Sequence, residues 1–297
     1  MAHPLEAVAR WPVTSAAVGV VRKSGTVVET VDQTGDLDTQ YPWASVTKLL
    51  VALAVLVATE EGTLGLDDPA GPPGSTVRHL LAHASGLGPD SPRPISAPGR
   101  RRIYSNIGFE VLADTLAHHS GMPFTDYLAH GVVLPLEMSR TEIPPGSSPA
   151  SGARGSVRDL LVLAGELLAP RLVSPSSVAA ATSVAFPGLA GVLPGFGRFD
   201  PCDWGLGFEI RDGKAPHWTG TRNSPRTFGH FGRSGSFLWV DPEAQLACGA
   251  LSDGAFGPWA ITAWPVLADA VVERWAVPGP APDSHHSREP EVPEALA

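Results

Sequence analysis

Ser45 and Lys48 stand three residues apart in Ser45-Val46-Thr47-Lys48, directly ahead of the most apolar stretch of the chain, residues 49–58. At the start of a helix this spacing puts both side chains on one face, so a hydroxyl and an amine can meet. A serine hydroxyl becomes a useful nucleophile when a base removes its proton, and lysine serves as that base only with a depressed pKa. Apolar surroundings depress it by disfavouring the ammonium. The helix N-terminus also favours negative charge developing beside Ser45. The chain carries three lysines (Lys23, Lys48 and Lys214) against eighteen arginines, and of the two only lysine gives up its proton at working pH. Alone, the tetrad reads equally as a capping serine followed by a lysine that extends its ammonium to water.

Two further groups add chemistry. Tyr104-Ser105-Asn106 precedes a helical pattern at Ile107. A phenol beside an ammonium ionises more easily and relays a proton, and an Asn amide can hold a substrate carbonyl or the lysine. The plain alternative is a turn in which Asn106 caps the helix. Gly229-His230-Phe231-Gly232-Arg233-Ser234-Gly235 runs into a hydrophobic strand. Its glycines allow close approach of a ligand to a strand edge, where a free backbone N–H can hold an oxyanion. A glycine-rich hairpin is the alternative there.

These residues need a frame. Residues 14–22 and 26–31 are rich in β-branched side chains around Lys23-Ser24-Gly25 and predict a hairpin. A helix is expected from about Ser45 to Glu61, stopping at Gly62, and its apolar surface places it in the core. Between 65 and 199 the signals are short helices broken by Gly and Pro, clearest at 77–82, 107–118 and 157–168. Strands are expected at 204–210, 227–231, 236–240 and 245–251, followed by a helix at 259–275 bent at Pro265. With strands at both ends of the chain and helices between, the economical fold is α+β. One antiparallel sheet is flanked by helices, and an all-helical lobe lies beside it. The expected division is 1–60 and 203–276 for the sheet lobe and 61–202 for the helical lobe, with a disordered proline-rich tail at 277–297.

Composition excludes several classes. The net charge is −9, and the longest basic run is Arg100-Arg101-Arg102, so no nucleic-acid footprint is present. That triplet reads as a solvated turn. Cys202 and Cys248 fit neither a disulfide framework nor a zinc site, and they read as buried free thiols. His285-His286 reads as tail composition rather than a metal site. The opening segment shows no basic or apolar signal region, and residues 49–58 are too few to span a bilayer, so a cytoplasmic protein without membrane partners is expected.

In order along the chain, SVTK, YSN and HFG resemble the three motifs of the penicillin-recognising serine hydrolases. That superfamily includes class C β-lactamases, related esterases and D-amino-acid-specific peptidases. The stretches GLDDPA (65–70), HLLAHASGL (79–87), APGRRRIYSNIGFEVLA (97–113) and LWVDPEAQLACGALSD (238–253) match the same pattern, and the resemblance covers residues 15–275.

The resemblance implies a β-lactamase/DD-peptidase-like fold with the active site between its two lobes. It makes Ser45 the acylated nucleophile, Lys48 its base partner and Tyr104 the proton shuttle. Asn106 becomes an anchor for substrate and lysine. His230, Phe231 and Gly232 form the third motif, and the backbone N–H groups of Ser45 and Arg233 form the oxyanion hole. The substrate is a small acyl compound, and no metal or cofactor is required. Phe231 stands where a hydroxyl residue is usual, so it offers no hydrogen bond to a carboxylate and is expected to crowd the pocket. His230 holds charge less firmly than lysine near neutral pH. Both departures favour an esterase or amidase. A β-lactamase or D-Ala-type peptidase is one alternative, and a non-catalytic ligand-binding relative is the other. Ser85, in His83-Ala84-Ser85-Gly86, reads as a structural turn residue.

Overall fold

The structure is a computed structural model that describes residues 3–276. The tail at 277–297, with His285-His286, lies outside the described residues.

The first strand, β1 (Ala16–Ser24), turns through Gly25 into β2 (Val27–Thr34) as an antiparallel hairpin. The late strands β7 (Glu209–Ile210), β8 (Phe228–Gly232), β9 (Ser236–Asp241) and β10 (Leu246–Ser252) extend the same sheet. Its order is β2-β1-β10-β9-β8-β7, with antiparallel neighbours throughout, so the two ends of the chain meet where β1 pairs with β10. The expected α+β architecture is the one found.

Both faces are covered along β1, β8, β9 and β10, which explains their continuous apolar runs in place of alternation, while the edge strand β2 is half-buried to exposed throughout. Ala17, Val21, Leu238, Val240, Ala247 and Leu251 join a core with the helices of the middle segment. Val18, Val20, Phe237, Trp239, Cys248 and Ala250 join a second core, against helix α7 (Pro258–Trp275) and the 3-10 turn Pro4–Arg10. On the first face helix α5 (Val157–Leu168) lies directly on the strands. Two glycines facing each other, Gly19 and Gly249, make this possible: a Cβ at Gly19 would stand 2.4 Å from Leu161, and one at Gly249 2.9 Å from Leu160.

Helix α1 (Thr47–Glu60) is buried from Thr47 through Ala58, as its uniform apolarity requires. It ends ahead of Gly62, whose φ of 76° suits a stop. Around it pack α3 (Asn106–Ser120) and α4 (Phe124–Leu128), with α2 (Val77–Leu81) against α3. No helix among the described residues is long and apolar enough to cross a membrane. Both cysteines are buried and unpaired.

The expected strand at 204–210 shortens to Glu209–Ile210. Gly207 has φ 89°, and a Cβ at Gly205 would lie 2.1 Å from the Ala181 carbonyl, so this stretch coils tightly against helix α6 (Pro175–Ala181) instead of extending. Also beyond the expected elements are α4, the wide turn Ala129–Val133, α6, the two-residue pair β3 (Tyr41–Pro42) with β4 (Arg154–Gly155), and a hairpin of β5 (Gly191–Leu193) and β6 (Gly197–Phe199).

Candidate functional site

Ser45 sits in a 3-10 turn, Ala44–Val46, that feeds directly into α1. Ala44 has φ 45°, an uncommon conformation for a residue with a Cβ, and the surroundings enforce it. Thr47 Oγ1 donates to the Ala44 carbonyl at 2.6 Å and accepts the Ala153 N–H at 3.0 Å. From the sheet side, Ser236 Oγ donates to the Trp43 carbonyl and Ser234 Oγ to the Pro42 carbonyl, each at 2.7 Å. Gly232 admits this approach: a Cβ there would lie 2.5 Å from the Trp43 oxygen and 3.0 Å from the Ala44 Cβ. Thr47, Ser234 and Ser236 were not singled out from the sequence. Their hydroxyls beside the motifs are the only available signal.

Lys48 is the second residue of α1 and is fully buried. Its Nζ is 3.4 Å from Ser45 Oγ, 2.8 Å from Asn106 Oδ1 and 2.9 Å from the Ala150 carbonyl. Burial pushes the amine down to about 7, with Glu110 and Asp90 opposing. A neutral amine has two N–H groups and one lone pair. Here the two donors match Asn106 and Ala150, and the lone pair is left for Ser45.

Asn106 does not cap α3. Ser105 does, its Oγ accepting the Gly108 N–H at 3.0 Å, which releases Asn106 to project toward the lysine. Its Nδ2 donates to Asp90 Oδ1 at 2.8 Å, fixing which end of the amide faces Lys48.

The Tyr104 hydroxyl donates to Ser45 Oγ at 2.7 Å. Contrary to the expectation that a neighbouring ammonium eases its ionisation, burial drives the phenol well above its ordinary value, outweighing the Ser45 hydrogen bond. The resting phenol therefore keeps its proton. His83 stacks on it, ring centroids 4.7 Å apart, and His83 Nδ1 accepts the N–H of Ser105 at 3.1 Å. The matching stretch around His83 was visible in the sequence, but its support of Tyr104 was not. Ser85 is buried, its Oγ facing the Leu87 N–H in the same turn.

Arg102 corrects the reading of the arginine triplet. Arg100 and Arg101 are exposed, but Arg102 is 2% exposed and donates to the carbonyls of Ala82, Cys202, Ala185 and Phe186. It ties together the loops beneath Tyr104.

On β8, His230 is buried, and its Nδ1–H donates to the Phe231 carbonyl at 2.8 Å. Burial, reinforced by Lys48, lowers it to about 3, so the ring is neutral. The next side chain on the strand faces the other way: Phe231 packs among Phe196, Trp218, Phe256 and Trp264 on the α7 side. It builds a wall there rather than projecting alongside His230. The Arg233 side chain is exposed and forms no ion pair among the described residues. The N–H groups of Ser45 and Arg233 take no part in the turn and loop hydrogen bonds of the described residues.

Comparison with known proteins accords with this geometry. The model of the beta-lactamase family matches residues 7–272. The D-alanyl-D-alanine-carboxypeptidase/endopeptidase AmpH of Escherichia coli is 30% identical over 146 residues, covering 37% of this chain and 38% of that protein. The chain thus spans well under two thirds of that relative. A crystal structure of a beta-lactamase from Mycobacterium bovis is 51% identical, with a TM-score of 0.89, and the match covers 92% of this chain and all of the other. EstCE1, a hydrolase with promiscuous acyltransferase activity, shares the fold at 18% identity, TM-score 0.73, over 91% of this chain and 96% of that one. With a family model matched along nearly its whole described length, the chain belongs to the beta-lactamase family, within the penicillin-recognising serine hydrolases.

Proposed function

We propose that this member of the family hydrolyses esters or amides through an acyl-enzyme on Ser45. What supports it is the position of Ser45 Oγ, 2.7 Å from the Tyr104 hydroxyl and 3.4 Å from an amine lowered to about 7. The longer distance is ordinary for an enzyme without substrate, since catalytic hydrogen bonds tighten when substrate binds.

In this mechanism Lys48 takes the Ser45 proton as Oγ bonds to the acyl carbon. The N–H groups of Ser45 and Arg233 receive the carbonyl oxygen as it becomes negative. Tyr104, still protonated, gives its proton to the leaving oxygen or nitrogen as that bond breaks, and Lys48 returns the serine proton to Tyr104. Water then attacks the ester through the same groups in reverse. Asn106 holds Lys48 and the substrate carbonyl. The substrate is a small acyl compound, and no cofactor takes part.

The test is hydrolysis of p-nitrophenyl acetate and butyrate. Turnover is expected from the wild type, none from Ser45→Ala, and little from Lys48→Arg, whose guanidinium keeps its proton. Turnover by Ser45→Ala equal to wild type would overturn the proposal.

The named relatives favour a second reading, a D-Ala-type peptidase or β-lactamase. Nitrocefin and D-Ala-D-Ala peptides separate the two. A non-catalytic binding role predicts no stable fluorophosphonate adduct on Ser45 by mass spectrometry.

A further inference from the structure

Tyr104, Phe196 and Phe256 are partly buried and all pack against the second core, which holds Phe231. Tyr104 and His230 have centroids 5.8 Å apart, His230 and Phe231 6.4 Å, and Phe231 and Phe256 5.1 Å. Phe196 closes the group, 5.7 Å from Phe231 and 6.0 Å from Phe256. Phe231 is buried, while Phe196 and Phe256 are partly exposed.

Three separate segments bring these rings together, and each is tied to the site. The β5–β6 hairpin carrying Phe196 is fixed beside Tyr104, because the Arg102 N–H donates to the Ala190 carbonyl at 2.9 Å and Arg102 bridges Gly191. Its tip lies flat on Phe256: a Cβ at Gly195 would be 2.7 Å from that ring. Phe256 in turn donates its backbone N–H to the Arg233 carbonyl at 2.9 Å. The wall therefore spans from the Tyr104 segment to the end of β8.

A departing group lies next to the hydroxyl that protonates it, so the surface continuous with Tyr104 is where the leaving portion of the substrate rests. We propose that Phe196 and Phe256, backed by the buried Phe231, form the leaving-group subsite and select an uncharged apolar or aromatic alcohol or amine over one that bears a carboxylate. This rests on the acyl-enzyme reading of Ser45. Holding a carboxylate requires donors, and Phe231 has none, while the Nδ1–H of His230 is engaged with the Phe231 carbonyl. Aromatic side chains instead offer stacking and apolar area. The counter-candidate is the exposed guanidinium of Arg233 at the rim.

Acetate esters test this cleanly, since every one leaves the same acetyl group on Ser45. The new bond is Ser45 Oγ to the acetyl carbon, the bond to the phenolic oxygen breaks, and that oxygen departs with the Tyr104 proton. Differences in kcat/KM among phenyl acetate, 2-naphthyl acetate and 4-acetoxybenzoate then report the leaving group alone. The naphthyl ester should exceed the carboxylate ester by about tenfold or more, and Phe196→Ala and Phe256→Ala should each shrink that ratio. Equal or faster turnover of 4-acetoxybenzoate overturns the subsite, assigning the role to Arg233. An unchanged ratio in both variants, each folded by circular dichroism, also overturns it. Absence of turnover above the Ser45→Ala background for all three esters overturns the hydrolase reading itself.

Discussion

Tyr104 donates its hydroxyl proton to Ser45 Oγ at 2.7 Å, and burial keeps that proton on the phenol. The pair thus enters the reaction with an acid already beside the nucleophile. Tyr104→Phe should lower kcat/KM for ethyl butyrate, whose alkoxide does not leave without a proton, by about 10²–10⁴-fold, the range for a positioned proton donor, and should affect p-nitrophenyl butyrate far less. Ser45 should still react with a fluorophosphonate, more slowly, because Lys48 remains. Loss of labelling together with turnover would place Tyr104 in activation of Ser45 instead.

The pH dependence follows from Lys48. Its neutral form is the base, so kcat/KM should fall as pH drops through about 7 and level off above it. His230, already neutral down to about 3, should add no inflection. Asp90→Asn removes a carboxylate that favours the ammonium and should move the acid limb to lower pH. A limb that stays in place would mean that another group controls it.

Stability carries the same signature. Unfolded, Lys48 binds its proton up to about 10.5, whereas folded it lets go at about 7. Between those values the unfolded chain holds the extra proton, so this residue makes stability rise with pH there, and its burial cost is full below about 7. Lys48→Met abolishes that slope. The Tm of Lys48→Met minus that of wild type should be larger at pH 6 than at pH 9, by differential scanning calorimetry.

Gly232 is the point where the sheet touches the Ser45 turn, with 2.5 Å between its notional Cβ and the Trp43 oxygen. Gly232→Ala should cost about 1–3 kcal/mol in urea unfolding, as overpacking does. It should reduce kcat more than KM, since the turn and the Arg233 N–H must separate. Ser236→Ala removes the bond to the Trp43 carbonyl and should give a milder loss of the same kind.

Glu209, on β7, is buried with Lys214 Nζ at 2.8 Å and His217 Nε2 at 2.9 Å. Burial alone would raise its pKa, but His217 and Lys214 outweigh it and hold the carboxylate well below its usual range. Glu209→Ala leaves three buried partners unmatched, Lys214, His217 and the Trp218 indole N–H, and should destabilise by about 3–5 kcal/mol. Activity of the folded fraction should survive, as the cluster is not among the groups around Ser45.

Much of this was readable in the chain because it is local. The three-residue step from Ser45 to Lys48, the helix behind it and the apolar strands 228–232, 236–241 and 246–252 all declare themselves by spacing and run length. What hid was set by distance along the chain. The carbonyls bound by Arg102 lie 20 to 100 positions away, and Ser236 meets Trp43 across 193. Asn106 looked like a cap because Ser105 and Asn106 are both good caps, and only the turn geometry chooses between them. Phe231 looked like an obstruction because a sequence does not tell which face of a strand edge meets the ligand.

Helix α1 is buried along nearly its whole length, carries Lys48 in its first turn and continues directly from the 3-10 turn that holds Ser45. The reacting pair sits on one unbroken stretch, the 3-10 turn running straight into α1, so parting the two residues requires opening the interior. Heating should then extinguish turnover and tertiary structure along a single curve, leaving no interval in which a folded molecule is idle.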